Sequence, residues 1–166
     1  MKMQLNSRQY AAFGLGLALL LYSGSLQGQQ LTIQTESGKQ TIVTKADLDA
    51  MPQIEVSAGT ANVPVTYQGV ALKALLEKAG VTFGDSLRGK RLASCLLVEA
   101  ADGYRVVIAL PEIDPAFGDQ QIMLADSRDG RPLDQKEGPF RIVIPSEKRM
   151  ARWVRQVTAL KIVEVQ

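Results

Sequence analysis

The sequence predicts a single, compact, strand-rich α+β domain behind an N-terminal export signal. Three observations carry that expectation. Short alternating or β-branched runs recur between turn signals along most of the chain, which marks strands. One segment, Ala71 to Ala79, has the apolar spacing of an amphipathic helix. With one cysteine and no histidine in 166 residues, the fold must rest on a hydrophobic core, not on disulfides or zinc.

The first residues differ from the rest. Lys2 and Arg8 precede an apolar run from Ala11 to Tyr22, and the small residues Ser23, Gly24 and Ser25 follow it. This is the order of a secretory signal peptide, and the run is short for a bilayer span of ~20 residues. Cleavage after Ser25 leaves small residues at the first and third positions before the cut, Ser25 and Ser23, and a site near Gly28 is the alternative. The expected division is therefore a signal peptide over 1–28 and a domain over 29–166, with a periplasmic location. An uncleaved membrane anchor is the competing reading. Arg8 is not paired with a second arginine, so the general export route is expected rather than the twin-arginine one. Removing 1–28 takes two cations and no carboxylate from a chain of formal net charge +2, which leaves a neutral domain. Neutrality argues against broad nucleic-acid binding.

The elements follow in order. Leu31 to Gln34 and Gln40 to Val43 alternate around Ser37-Gly38-Lys39 and read as a hairpin. Thr44 can cap a helical turn over Lys45 to Met51, stopped by Pro52. Ile54 to Val56 and Val63 to Tyr67 read as strands joined by a flexible Ala58-Gly59-Thr60-Ala61. The helix Ala71 to Ala79 places Leu72, Leu75, Leu76 and Ala79 on one face and ends at Gly80. Leu92 to Val98 and Tyr104 to Leu110 flank an Asp102-Gly103 turn. Pro111-Glu112-Ile113 can start a helical turn. Ile122 to Ala125 and Phe140 to Ile144 are strands around the turn-rich Ser127 to Pro132. Lys148 to Val154 reads as a short helix or an irregular turn, and Ala159 to Val165 as a closing strand.

The missing histidine removes Ser-His and Cys-His couples and the usual zinc and haem ligand sets. Binding a small molecule is favoured over breaking one. Trp153, the only tryptophan, lies between Arg152 and Arg155 and offers a stacking plane; packing against a sheet is the alternative. Lys148, Arg149, Arg152 and Arg155 form a basic cluster, and on a helix Lys148, Arg152 and Arg155 would share a face. A solvated face is the plainer account. Arg141 alternates with Phe140 and Ile142, so if both faces of that strand are covered it must find a partner. Tyr104 is either the start of a strand or a pocket wall, and Tyr67 has the same two readings. Asp126 and Asp129 could be paired carboxylates or turn residues. Cys95, within an apolar run, reads as an inert core thiol.

Four pieces taken together carry a family likeness. They are Tyr67-Gln68-Gly69-Val70 before the leucine helix; Asp102-Gly103-Tyr104; Leu124-Ala125-Asp126 with Asp129-Gly130-Arg131-Pro132-Leu133; and Gly138 to Pro145 followed by Arg152-Trp153-Val154. In this order they resemble the oxidoreductase molybdopterin-binding domain, the catalytic fold of sulfite oxidases and plant-type nitrate reductases, over Tyr67 to Val165. The resemblance implies the sulfite-oxidase-type α+β fold and a basic region near the cofactor's phosphate end. It also implies a cysteine metal ligand before the Tyr-x-Gly-Val segment, and Ile54 to Val65 contains none. Cys95 comes after that segment and cannot be carried over. Small exported members of the fold, which bind a reduced pterin without metal and regulate a membrane cyclic-di-GMP enzyme, look closer still. The expected function is therefore an exported, non-catalytic pterin-binding regulator. Its partner would be the periplasmic domain of an inner-membrane signalling protein. Tyr104, Arg141, Arg152 and Trp153 are the expected ligand contacts, with no metal. A molybdopterin-dependent oxidoreductase subunit, with a ligand from a partner, and a cofactor-free interaction module are the alternatives.

Overall fold

A computed structural model describes residues 30–60 and 63–164; the expected leader and Val165 lie outside them. Two five-stranded sheets share one core. The first hairpin joins β1 (Gln30–Gln34) to β2 (Gln40–Thr44), in the expected place. Leu31 and Ile33 turn inward and are fully buried, as period-2 alternation requires. A helical turn, α1 (Lys45–Asp49), follows directly and stops before the expected Met51. Ala50 is its C-cap, and Pro52 bars any later continuation.

Thr44 and Asp47 close a reciprocal cap on α1. The Thr44 amide donates to Asp47 Oδ2 at 2.8 Å, and the Asp47 amide to Thr44 Oγ1 at 3.3 Å. The hydroxyl and amide of Thr44 hold the Asp47 carboxyl below its usual range. Thr44→Ala is expected to lower stability by about 1 kcal/mol, read as a shift in the urea midpoint at unchanged slope; an unmoved midpoint would show the cap to be idle.

The second sheet is built on a long hairpin of β3 (Gln53–Thr60) and β4 (Val63–Ala71), both longer than expected. Ala58 to Thr60, read as flexible, pair in register with Val65 to Val63. Cross-strand hydrogen bonds override the weak strand preference of Ala58-Gly59. Helix α2 (Leu72–Ala79) starts one residue later than expected, since Ala71 is still extended and serves as its N-cap. Leu72, Leu75, Leu76 and Ala79 are buried as one face. The run expected from Leu92 divides into a 3-10 turn over Gly89–Ala93 and β5 (Cys95–Ala100). β6 (Arg105–Ala109) pairs with β5, and Leu110 already belongs to the short helix α3 (Leu110–Ile113).

β7 (Met123–Arg128) turns into β8 (Arg131–Pro132) through Asp129 and Gly130, whose φ angles are 51° and 72°. Two left-handed residues make the tight turn that matches strand twist. β9 (Arg141–Val143) adds to β7. β10 (Val157–Val163) runs between β1 and β5, parallel to the first and antiparallel to the second. The sheets are ordered β2-β1-β10-β5-β6 and β3-β4-β7-β8, with β9 beside β7. No helix among the described residues is long and apolar enough to cross a membrane.

Candidate functional site

The end of β5, the start of β6 and the segment before β10 converge on a cleft of about 250 Å³. Its walls include Asp102, Tyr104, Met150, Trp153 and Arg155. The Asp102-Gly103 turn sets one side. Asp102 Oδ1 accepts the Tyr104 amide at 2.9 Å, which leaves its other oxygen free of the turn. Tyr104 is half exposed, and its hydroxyl donates to the Ala151 carbonyl at 2.9 Å across the cleft. The opposite side is a single 3-10 turn over Met150–Arg152. Lys148, Arg152 and Arg155 therefore share no helix face; the segment is too irregular to present one.

Two of the four expected contacts, Tyr104 and Trp153, meet at the cleft. Trp153 is buried, and its indole N–H donates to the Ile144 carbonyl at 3.0 Å. It thus serves as packing and as cleft wall together. Arg141 and Arg152 do not line the cleft, and each is held by carboxylates of this chain.

Arg141 is 7% exposed. Its Nη1 donates to Glu137 Oε1 at 2.7 Å, and Arg128 Nη1 donates to the same oxygen at 2.9 Å. The guanidinium carbon lies 5.4 Å from the Tyr67 ring centre and 5.7 Å from that of Trp153. Those two rings meet edge to face at 6.1 Å. A cation between two aromatic faces gains from both ring quadrupoles. The partner that the strand pattern requires is thus Glu137, reached across Gly138-Pro139-Phe140.

Arg152 sits between Glu147, 2.5 Å away, and Glu112, 3.0 Å away. Glu112 also accepts the Ala109 amide at 3.0 Å. Burial pushes the Glu112 carboxyl up, but the hydrogen bonds from Arg152 and Ala109 outweigh it and hold the group below its ordinary value. A carboxyl lowered in this way stabilises the fold above its unfolded pKa of ~4.3 and loses that contribution as pH falls through the lower folded value. Glu112→Gln is expected to cost stability at pH 7 and little at pH 3. Urea midpoints at both pH values check this, and an equal gap at both would refute it.

Asp126 and Asp129 do not pair. Asp129 Oδ1 accepts the Thr66 amide at 2.9 Å, while Asp126 faces Lys45 at 3.2 Å. Cys95 starts β5 and Ala100 ends it, which sets the thiol roughly 16 Å from the cleft at the strand's rise per residue. An odd number of steps also puts the two on opposite faces. Burial pushes the thiol pKa up, away from the thiolate a soft metal needs. No group of three or more Cys, Asp or Glu side chains able to hold a metal occurs among the described residues.

Sequence reasoning missed the carboxylates. Glu112, Glu137 and Glu147 lie in stretches without periodicity, and only their distance to an arginine reveals them. Asp102 was legible as a turn residue but not as a cleft wall.

No curated protein matches the chain. The crystal structure of the sulfane dehydrogenase SoxCD from Paracoccus pantotrophus is similar in fold, with a TM-score of 0.62 at 23% identity. The match covers 81% of this chain and 38% of that one, so this chain spans well under half of its neighbour's length. The oxidoreductase molybdopterin binding domain model matches residues 55–166, a stretch that holds most of β3, all of β4, both sides of the cleft and the whole of β10. This chain belongs to the oxidoreductase molybdopterin binding domain family.

Proposed function

We propose that this domain binds a reduced pterin in the cleft between Tyr104 and Trp153, holds it without turnover, and acts as an exported regulatory module for a membrane cyclic-di-GMP enzyme. One observation carries the reading. The cleft offers aromatic surface and hydrogen-bonding edges, while the only thiol stands at the far end of β5 on the opposite face. Tyr104 offers a face for stacking, Asp102 an oxygen for an amino-pyrimidine edge, and Arg155 a planar cation. A molybdenum centre ligated by this chain does not fit those walls, which contain neither thiol nor imidazole.

Size and charge point to the same ligand class. About 250 Å³ falls below the ~300–1,000 Å³ typical of drug-sized sites and suits a bare bicyclic ring better than a pterin with a phosphate tail. Asp102 and Arg155 bring one charge of each sign to the cleft wall. Arg141 and Arg152, expected as contacts, are neutralised by Glu137, Glu112 and Glu147. An uncharged ring is the ligand such a site favours.

The test uses the only tryptophan as reporter. Reduced pterin added to the full chain is expected to quench Trp153 fluorescence saturably. Tyr104→Ala is expected to weaken binding about fivefold, from ~1 kcal/mol of lost stacking. A flat titration of folded protein refutes the reading. Family membership supports a second reading, an oxidoreductase subunit that carries molybdopterin on a partner's ligand. Stoichiometric molybdenum in protein isolated from its native host would favour it over the first.

A further inference from the structure

Positive charge gathers at one end of the domain. The cleft rim carries two apolar side chains that face solvent, Tyr104 and Met150, each 49% exposed. Exposed cations flank both. Arg105 follows Tyr104, Lys148 and Arg149 lead into Met150, and Arg155 lines the cleft beside them. None of these four cations is in an ion pair among the described residues. The carboxylates close by are already taken: Glu112 and Glu147 by Arg152, and Glu99 by Lys161 at 2.6 Å. Asp102 is the one carboxylate on the cleft wall. A domain that is neutral over 29–166 thus presents four cations against one carboxylate, set around two apolar tips.

Charge segregated in this way attracts a surface of opposite sign. Two further observations favour a bilayer. Apolar tips standing among lysines and arginines suit a headgroup layer: the cations meet anionic lipid, while the tyrosine ring and the thioether sit at the boundary with the acyl chains. The chain also enters the fold here. β1 runs parallel to β10 with Thr32 level with Ala159, and Val157 pairs with Ala100 at the cleft. Gln30 therefore opens β1 at the cleft end of the sheet. The apolar run Ala11 to Tyr22 ends seven residues earlier, with only 23–29 between, a reach of at most ~25 Å. Any hold of that run on a bilayer, before cleavage or without it, brings this end of the domain to the same surface.

We propose that this end of the domain docks on an anionic bilayer, with Arg105, Lys148, Arg149 and Arg155 on the headgroups and Tyr104 and Met150 seated between them. The surface stands whether or not the cleft takes a pterin. The test is the partition of the full chain onto vesicles of phosphatidylglycerol with phosphatidylcholine, set against vesicles of phosphatidylcholine alone. The ratio of the two cancels any hold of the apolar run that both vesicles share. A preference for the anionic vesicles that salt weakens is expected. Lys148→Gln with Arg149→Gln is expected to lower the ratio about thirtyfold, roughly fivefold for each cation. Both residues are exposed, so the variant keeps its fold. Arg88→Gln with Lys90→Gln removes the same charge from exposed positions before the start of β5, at its other end, and is expected to leave the ratio unchanged. Equal partition of the wild type onto both vesicles overturns the proposal. So does a ratio that the Lys148 and Arg149 changes leave intact, or one that the Arg88 and Lys90 changes lower equally; the last would mark diffuse charge attraction. Binding to soluble polyglutamate with no preference between the vesicles overturns it too, and marks an acidic protein as the partner.

Discussion

Glu137→Ala is expected to destabilise the domain by about 3–5 kcal/mol, the cost of leaving a buried charge without its partner. Glu137 is the shared counter-ion of Arg141 and Arg128. Arg141 has nowhere to go: its side chain is 8% exposed, and Tyr67 and Trp153 pack on it. Arg128, 40% exposed, can turn to water. The loss therefore belongs mainly to Arg141. Replacing the pair together, Glu137→Leu with Arg141→Met, is expected to recover most of the stability, because apolar groups of similar volume need no compensation. Urea unfolding of the single and double variants measures both quantities. A single variant within about 1 kcal/mol of wild type would mean that water reaches Arg141 and the pair is not a buried one.

Gly69→Ala is expected to have an effect as large or larger. A β-carbon there would lie 2.1 Å from the Leu124 carbonyl oxygen and 2.7 Å from the Ala125 α-carbon. Both are backbone atoms of β7, so no side chain can rotate to make room. Relief requires the β4–β7 ladder to open beside the register shift between Gln68 and Gly69, and overpacking of this kind costs about 3 kcal/mol or more. The expected result is a large fall in the urea midpoint or no folded protein. Gly118→Ala, where a β-carbon meets nothing within 4 Å, is the control and is expected to be near neutral. A Gly69→Ala variant as stable as wild type would mean that the two strands are further apart than described.

The expected strand order along the chain and the leucine helix were legible because each rests on local periodicity. Leu31 and Ile33 alternate, and Leu72, Leu75, Leu76 and Ala79 repeat at helical spacing; both sets are buried as one face. Element ends were less legible. Ala58 to Thr60 became strand because Val63 to Val65 hold them in register, and Met51 fell outside α1 because the helix is already capped at Ala50. At the cleft, Tyr104 and Trp153 were legible as candidate contacts because a lone tryptophan and a tyrosine after Asp-Gly are conspicuous. The ion-pair partners of Arg141 and Arg152 were not. That Arg141 needs a partner is legible in its strand, but the glutamates that hold it and Arg152 are not, because no spacing rule connects them.

Taken alone, the amino-acid order determined the strand-rich α+β class, the family likeness and the want of a thiol before Tyr67. All three follow from residue identity and short-range pattern, which survive without a third dimension. Tertiary structure decided which charges are free and which are cancelled, that Tyr104 and Trp153 share a cleft, and that Asp126 turns toward Lys45. Each of these depends on distances between residues far apart in the chain. Coulombic pairing and close packing act through space, so they become readable only when the sheets have brought the strands together.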